Sequence, residues 1–398
     1  MEQKMEVVPE KKYKNFNETF KLCAFSMAFA FLYPNRKNVI RRFVMITLII
    51  TFNGGQLFWF SIYTFKCLYT LDIYNFSRNM TLAVILILFF IKTYYAIYAT
   101  HRFAPLLDII STDLIKANDM EEEYQRLYDS HIKEGKVGEI AWLLIPSLMS
   151  IQFPFYAGLL MSIESIQTDD YQKRMVHDME LIFVQDIQSE APFFHCMFAY
   201  NCVQCVVLVP NFTGMDGSFC IVTTHLRLKL KILTLKVEKA FNDSCDVYEL
   251  RRKLRGAIQD HQEALEFYFK AQHMYGTWLL AVFMLTSFLI SFSLYQIHLL
   301  QRIDPKYTSF MMVGVFHIYL PCYYASSLTK VGEDVPDELY SVCWEKWADP
   351  VCSNLLIFMI CRSQKILILT GNGLVVYNME LFKSIMQTSY SFFTLITA

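Results

Sequence analysis

Charge is what this sequence has least of. Asp, Glu, Lys and Arg make up 18% of the 398 residues, against about 25% in an ordinary soluble domain. The formal net charge of −1 supplies no field of one sign, so no nucleic-acid partner is expected. No G-x-x-x-x-G-K-[ST], G-x-S-x-G or H-E-x-x-H occurs. Phosphate-loop, serine-hydrolase and zincin chemistry therefore have no signature here, and no enzyme activity, metal or cofactor is expected. The 11 cysteines are an odd number and form no evident disulfide framework. Cys202-Val203-Gln204-Cys205 is a C-x-x-C inside an apolar run, without a second ligand pair, and reads as packing. No secretory leader is expected either. A polar stretch to Lys21 precedes only a short apolar segment, Leu22 to Tyr33, that ends at Pro34 without a small-residue cleavage pattern.

What is present is apolar: 54% of residues are hydrophobic and 16% aromatic. A transmembrane helix needs roughly 20 mostly apolar residues. Five runs meet that length: Phe43 to Phe65, Ile140 to Ile163, Ala191 to Met215, Ala271 to Gln301 and Tyr307 to Thr329. Met80 to Tyr98 is a sixth, interrupted by Lys92, whose long stem is expected to reach the headgroups. Leu381 to Thr397 is the seventh, slightly short and carrying Lys383. A helix of that length suits a site surrounded by protein or lining water better than one facing lipid. Asn17 to Tyr33 reads as an interfacial helix capped by Asn17, with Phe20, Ala24, Met27 and Phe31 on one face; a short buried helix is the other reading.

Lys and Arg settle the orientation. Met1 to Arg42 holds nine, Thr100 to Glu139 five, Arg227 to Lys270 ten and Lys330 to Lys365 four, whereas the alternate loops hold six. The fold expected is therefore all-α: a polytopic membrane protein of seven transmembrane helices, N-terminus cytosolic and C-terminus extracellular. Residues 1–42 form the cytosolic N-terminus and 43–329 the first six spans, with cytosolic extensions at 100–139 and 227–270. Residues 330–380 form a cytosolic anchor helix and connection, and 381–398 the last helix. The fourth and fifth spans are expected to run out of the bilayer and bundle with the helix around Ser353 to Gln364. The apolar surface of that helix would meet another subunit or its own chain.

Two constellations could carry function. On the last helix Ser384, Thr388, Ser391, Leu395 and Ala398 recur at spacings of three and four and share a face. Such a small, polar stripe either packs against a neighbouring helix or lines water, with Leu395 closing a pore by dewetting. In the outer halves of the middle spans, Phe153, Tyr156 and Leu160 lie at the same depth as Phe194, Met197, Tyr200 and Asn201, and as Phe310, Met311, Gly314 and His317. These offer aromatic and thioether surface to a small apolar ligand, or are ordinary interhelical packing.

The tail carries a resemblance. Arg362-Ser363-Gln364-Lys365, then Leu369-Thr370-Gly371, Met379-Glu380-Leu381-Phe382 and Ser389-Tyr390-Ser391-Phe392-Phe393-Thr394-Leu395 resemble the C-terminal signature of insect odorant receptors. The likeness extends more loosely over the whole chain. It implies an odorant-gated, non-selective cation channel in the plasma membrane of olfactory neurons, built from four subunits around one pore lined by the last helices. It further implies a volatile ligand held among the second, third, fourth and sixth spans, and a common co-receptor as partner subunit. That co-receptor has a much longer connection between spans four and five, so this chain resembles an odour-specific tuning subunit. One departure is Gly371 to Asn378, where the family pattern has a Gly-Lys and a proline turn. Gustatory-type channels are an alternative, although their Thr-Tyr and Gln-Phe endings are missing. A G-protein-coupled receptor is another, without its Asp-Arg-Tyr or Asn-Pro-x-x-Tyr and with the opposite orientation. A transporter would need repeated halves, which are not evident.

Overall fold

The computed structural model describes residues 12–33, 38–167, 172–177, 180–300 and 304–397. In chain order the elements are α1 (Phe16–Thr19), α2 (Lys21–Phe29), α3 (Val39–Tyr69), α4 (Ile73–Tyr98), α5 (Thr100–Lys116), α6 (Glu122–Gln167), α7 (Phe193–Asp243), α8 (Val247–Leu300), α9 (Pro305–Tyr340) and α10 (Pro350–Ser363). A two-stranded antiparallel hairpin of β1 (Thr370–Gly371) and β2 (Val375–Val376) follows, and then α11 (Met379–Thr397). The protein is all-α apart from that hairpin. The seven expected spans lie within α3, α4, α6, α7, α8, α9 and α11.

Among the described residues, α3, α4, α6, α7 and α8 are long and apolar enough to cross a membrane by length and composition alone. The other two fall short for visible reasons. His317, Pro321 and the tyrosines 307, 319, 323 and 324 dilute α9, and Glu380 and Lys383 sit in the first turns of α11. Both pack on α8, and α9 also on α7, so protein solvates what lipid would not.

The charge-rich segments between spans are helical continuations. With 51 residues, α7 measures about 75 Å at about 1.5 Å per residue, far beyond a bilayer core. α8, at 54 residues, turns back after positions 244–246. α10 packs against both α8 and α9. Its N-cap Asp349 accepts the Cys352 backbone N–H at 2.9 Å and takes Arg251 of α8 in a bidentate pair at 2.5 and 3.0 Å. The Arg251 guanidinium holds the Asp349 carboxyl well below its ordinary range. On the face away from this junction, Ile357 and Phe358 are exposed.

The N-terminal segment differs from its expected form. Asn15, not Asn17, caps the first turn by accepting the Glu18 N–H at 3.0 Å, and the helix breaks at Phe20. Phe20, Cys23 and Met27 are buried against protein, with α2 lying on α7, while Leu22, Phe25 and Phe29 are exposed. Phe31 lies beyond the helix in a turn with φ 57°. The buried carboxylate of Glu139 accepts the Cys23 N–H at 2.5 Å in the first turn of α2, where a negative charge offsets the helix dipole. The stripe of Phe20, Ala24 and Met27 therefore faces the bundle, and the apolar surface left outside is Leu22, Phe25 and Phe29.

The connection before α11, where Gly371 to Asn378 departs from the family pattern, is a hairpin. Gly371 to Leu374 is a tight turn closed by Leu374 N–H to Gly371 O at 3.0 Å, with Asn372 and Gly373 at φ 52° and 75°. Positive φ at both central residues gives the turn whose twist matches paired strands. The hairpin is tied to α8. The Gln272 side chain accepts from Thr370 N–H at 2.9 Å and donates to Thr370 O at 2.8 Å, completing the strand edge. Tyr377 is fully buried and donates to Leu279 O at 2.6 Å.

Candidate ligand-binding site

A cavity of about 80 Å3 opens between α4, α6, α7 and α9. Leu82, Ile85 and Leu86 come from α4; Trp142, Pro146, Met149 and Phe153 from α6; Cys205, Leu208 and Phe212 from α7; Phe310, Val313 and His317 from α9. Spacings of three and four put each set on one face of its helix. Phe60 of α3 and Leu289 of α8 complete the wall. The rings of Phe153 and Phe310 meet at 4.8 Å, and Trp142 stands edge-on to His317 at 5.4 Å.

Proline shapes this wall. Pro146 has no N–H, so the Trp142 carbonyl four residues earlier loses its helical partner. The Thr213 hydroxyl of α7 donates to that carbonyl at 2.8 Å. The freed carbonyl is thereby satisfied by a neighbouring helix, as an intramembrane proline requires.

Beneath the cavity lies a buried charge cluster. Lys92 of α4 and Asp216 of α7 are both fully buried and 2.5 Å apart. The expected snorkelling lysine is instead paired inside the bundle, because the Asp216 carboxylate lies within its reach. Lys92 Nζ also lies 3.0 Å from His317 Nε2 and 4.0 Å from the Phe212 ring centroid. An ammonium donates and cannot accept, so Nε2 accepts from Lys92. His317 Nδ1 then carries the proton and donates to Thr286 Oγ1 of α8, 2.9 Å away. Both ring nitrogens are thus occupied, and His317 offers the cavity only its carbon edge and face. Asp216 Oδ1 has no hydrogen-bond partner among the described residues.

Of the residues expected to hold ligand, Phe153, Phe310 and His317 line this cavity. Tyr156 and Leu160 line a separate polar opening beside Arg174 and Asp304. Tyr200 turns towards α3, donating to Phe52 O at 2.5 Å and setting its ring at a tilt against the Phe52 ring, 4.7 Å away. Met197 packs on the same apolar cluster without lining the cavity, and Asn201 is buried one turn away. Gly314 serves close helix packing, since a Cβ there would stand 2.9 Å from Ile290 Cγ1. Of the two further residues at that depth, Phe194 is buried and Met311 half-buried, both outside the cavity wall. Sequence reasoning missed the α4 face, although Leu82, Ile85 and Leu86 recur at helical spacing, and it missed Gln204.

On α11 the polar stripe points away from the chain. Ser384, Thr388, Ser391 and Leu395 are exposed, with Leu395 at 73%. Ala398 lies outside the described residues. On the opposite side Ile385 and Ser389 are buried, and Ser389 Oγ meets Ser287 O of α8 at 3.5 Å.

A seven-helix polytopic bundle with a partly open, largely apolar cavity defines a membrane protein with room for a small apolar molecule. Known proteins narrow that class. A family model described as 7tm odorant receptor matches residues 72–390. Among sequence relatives in Drosophila melanogaster, odorant receptor 94a is 25% identical over 193 residues, covering 47% of this chain and 49% of that protein. Odorant receptor 46a, isoform A, is 24% identical over 212 residues, covering 52% and 55%. Odorant receptor 85c is 27% identical over 183 residues, covering 46% of each. The chain thus spans about half the length of the relatives it matches. The olfactory receptor OR5 of Machilis hrabei, solved with eugenol, superposes with a TM-score of 0.75 at 14% identity, covering 96% of this chain and 99% of that one. The structure of OR5 described without a ligand gives 0.72, also at 14% identity. The chain belongs to the insect odorant receptor family.

Proposed function

We propose that this chain is the odour-specific subunit of an odorant-gated, non-selective cation channel in the plasma membrane of olfactory neurons. A volatile organic ligand occupies the cavity between α4, α6, α7 and α9, and the last helix of each subunit lines a shared pore. The observation that carries the reading is α11. Its Ile385 and Ser389 face packs on the chain's own bundle, while Ser384, Thr388, Ser391 and Leu395 are exposed, the Ser391 hydroxyl donating back to Gln387 O of its own helix at 3.0 Å. A stripe of small hydroxyls ending in one exposed leucine suits a wetted pore with a hydrophobic closure.

Supporting features follow the same direction. Eugenol in the Machilis receptor is a small volatile phenol, comparable with what an aromatic, largely apolar cavity accepts. The short turn at 244–246 between α7 and α8 fits a tuning subunit rather than the co-receptor, so the working assembly is a heterotetramer with that co-receptor. The exposed apolar face of α10 is the natural contact between subunits on the cytosolic side. Residues 1–42 and 330–380 are cytosolic in this reading, 43–329 carry the first six spans, and 381–398 end outside.

Leu395→Ala, co-expressed with the co-receptor, is expected to raise basal current by weakening the closed, dewetted state. Unchanged basal and evoked currents would remove Leu395 from the gate. Odorant-evoked current in an excised patch without GTP separates a channel from a G-protein-coupled receptor, and a C-terminal epitope accessible on intact cells tests the orientation.

A further inference from the structure

Within a wall of hydrocarbon and aromatic rings, two buried donors have no hydrogen-bond partner among the described residues, the Trp142 indole N–H and the Gln204 amide. Gln204 of α7 lines the cavity and is 2% exposed, and its Nε2 has no hydrogen-bond partner among the described residues. A buried amide nitrogen left unpaired is costly, and native proteins rarely keep one without a use. The other polar groups at the wall are differently placed: the Trp142 indole N–H is directed to the Cys220 thiol of α7. His317 spends both ring nitrogens on Lys92 and Thr286. The His177 ring stands against those of Phe60 and Phe153 at 6.0 and 6.1 Å. Ser150 contributes a hydroxyl that is only half-buried.

We propose that Gln204 is the specificity-determining residue of the cavity, and that its amide N–H selects oxygenated volatiles (ketones, aldehydes, esters, alcohols) over hydrocarbons of the same shape. This rests on the reading of the cavity as the odorant site. The chemistry is one-sided. A ligand with an acceptor oxygen removes the unpaired donor as it binds. A hydrocarbon of equal volume buries that donor more completely and leaves it unmet. A site built around a hydrogen bond rejects the analogue lacking it far more strongly than an apolar pocket rejects a missing methylene. Lys92 and Asp216 do not blur this preference, because they pair with each other and neither lines the cavity. Methionine at position 204 would fill nearly the same space without the amide. The empty receptor should then be at least as stable as the parent while losing discrimination, a combination that a purely structural glutamine would not give.

The test uses matched pairs in which a carbonyl oxygen is replaced by a methylene: acetophenone with α-methylstyrene, and 2-heptanone with 2-methyl-1-heptene. Dose responses are read as evoked current in cells expressing this chain with its co-receptor. Thermal stabilisation of the purified complex is read in parallel. The parent should favour the carbonyl member by about tenfold or more, the range that one buried hydrogen bond commands. Gln204→Met should bring each ratio within about threefold while thermal stability holds or rises. Val313→Phe fills the cavity and should abolish both members' effects. If both members act, Val313→Phe abolishes them and Gln204→Met leaves the ratio unchanged, the assignment of Gln204 is overturned and the cavity stands. Collapse of the ratio in Ser150→Ala or His177→Phe instead of Gln204→Met also overturns it. If no member acts on the parent, or Val313→Phe changes nothing, the reading of the cavity falls and the proposal with it.

Discussion

Replacing Lys92 by methionine isolates the charge at the base of the cavity. Methionine keeps most of the stem's volume, so the change removes an ammonium rather than opening a hole. Asp216, fully buried and 2.5 Å from Lys92 Nζ in the parent, loses its cation. Breaking a buried pair from one side costs about 3–5 kcal/mol, because the remaining charge is left uncompensated. The contact of Lys92 with the Phe212 ring at 4.0 Å is lost as well. One compensation is available. His317 Nε2 lies 3.5 Å from Asp216 Oδ2, and once Lys92 is gone that nitrogen can carry the proton and donate to the carboxylate. The expected loss is therefore at the lower end, about 3 kcal/mol.

The decisive comparison is the cycle of Lys92→Met, Asp216→Leu and the double variant. Each single change leaves one buried charge, whereas the double leaves none and replaces the pair by hydrocarbon of similar bulk, which is often neutral. A coupling of at least about 2 kcal/mol is expected, well above the few tenths seen between independent sites. Thermal unfolding of the purified receptor in detergent, read beside surface expression, gives the ranking. A double variant destabilised by the sum of the two singles would refute the claim that the ions serve each other.

Three further outcomes follow from the hairpin and from the junction of α5 with α7. Gly371→Val would place a Cβ 3.1 Å from Leu280 N and 3.2 Å from Leu280 Cα, helix backbone that cannot yield; a loss of about 1–3 kcal/mol is expected, and unaltered thermal stability would refute it. Tyr377→Phe removes the buried bond to Leu279 O and should cost about 1 kcal/mol in the same assay. Asp113 concerns pH: burial raises its pKa, but His225 at 2.9 Å and Lys229 at 2.7 Å outweigh that and bring it down to about 2. A depressed carboxylate stabilises above its unfolded pKa, near 3.9, and loses that contribution as pH falls towards 2. Asp113→Asn should therefore lose about 2 kcal/mol at neutral pH and converge on the parent between about pH 4 and 2; a constant gap between the two unfolding curves across that range would contradict the linkage.

Length and depth were legible in the sequence, and rotation about each helix axis was not. Apolar runs, five uncharged and two carrying a single lysine, located all seven helices, and the paucity of breakers from Arg227 to Lys270 announced the long α7 and α8. Depth alone grouped Met197, Tyr200 and Asn201 with Phe153. Which of them met the cavity depended on how α7 turned against α3, α4 and α6, and the structure selects Gln204, Cys205 and Leu208 instead. Asn372-Gly373 beside Val375-Val376 is a legible hairpin signal that went unused. The pairing of Lys92 with Asp216 was of another kind, since 124 residues separate them and either charge alone reads as a span end.

The arrangement restricts how a ligand could reach the last helix. α11 packs on α8 and α9, and both of these also carry cavity wall. On α8, Leu289 faces the cavity and Thr286 holds His317, whereas Ser287 and Ser291 meet Ser389 of α11 at 3.5 Å. Residues 286 and 289 share one face, and 287 and 291 share a neighbouring one. A rotation or shift of α8 is therefore felt on both sides at once. A ligand biases the last helix only through unequal affinity for alternative positions of α8, and the hydrogen bond from His317 to Thr286 ties α8 to α9 in the position observed. Removing it in Thr286→Val should shift odorant potency and basal current together. A change in potency with basal current untouched would place His317 and Thr286 in the binding wall alone and break the link to α11.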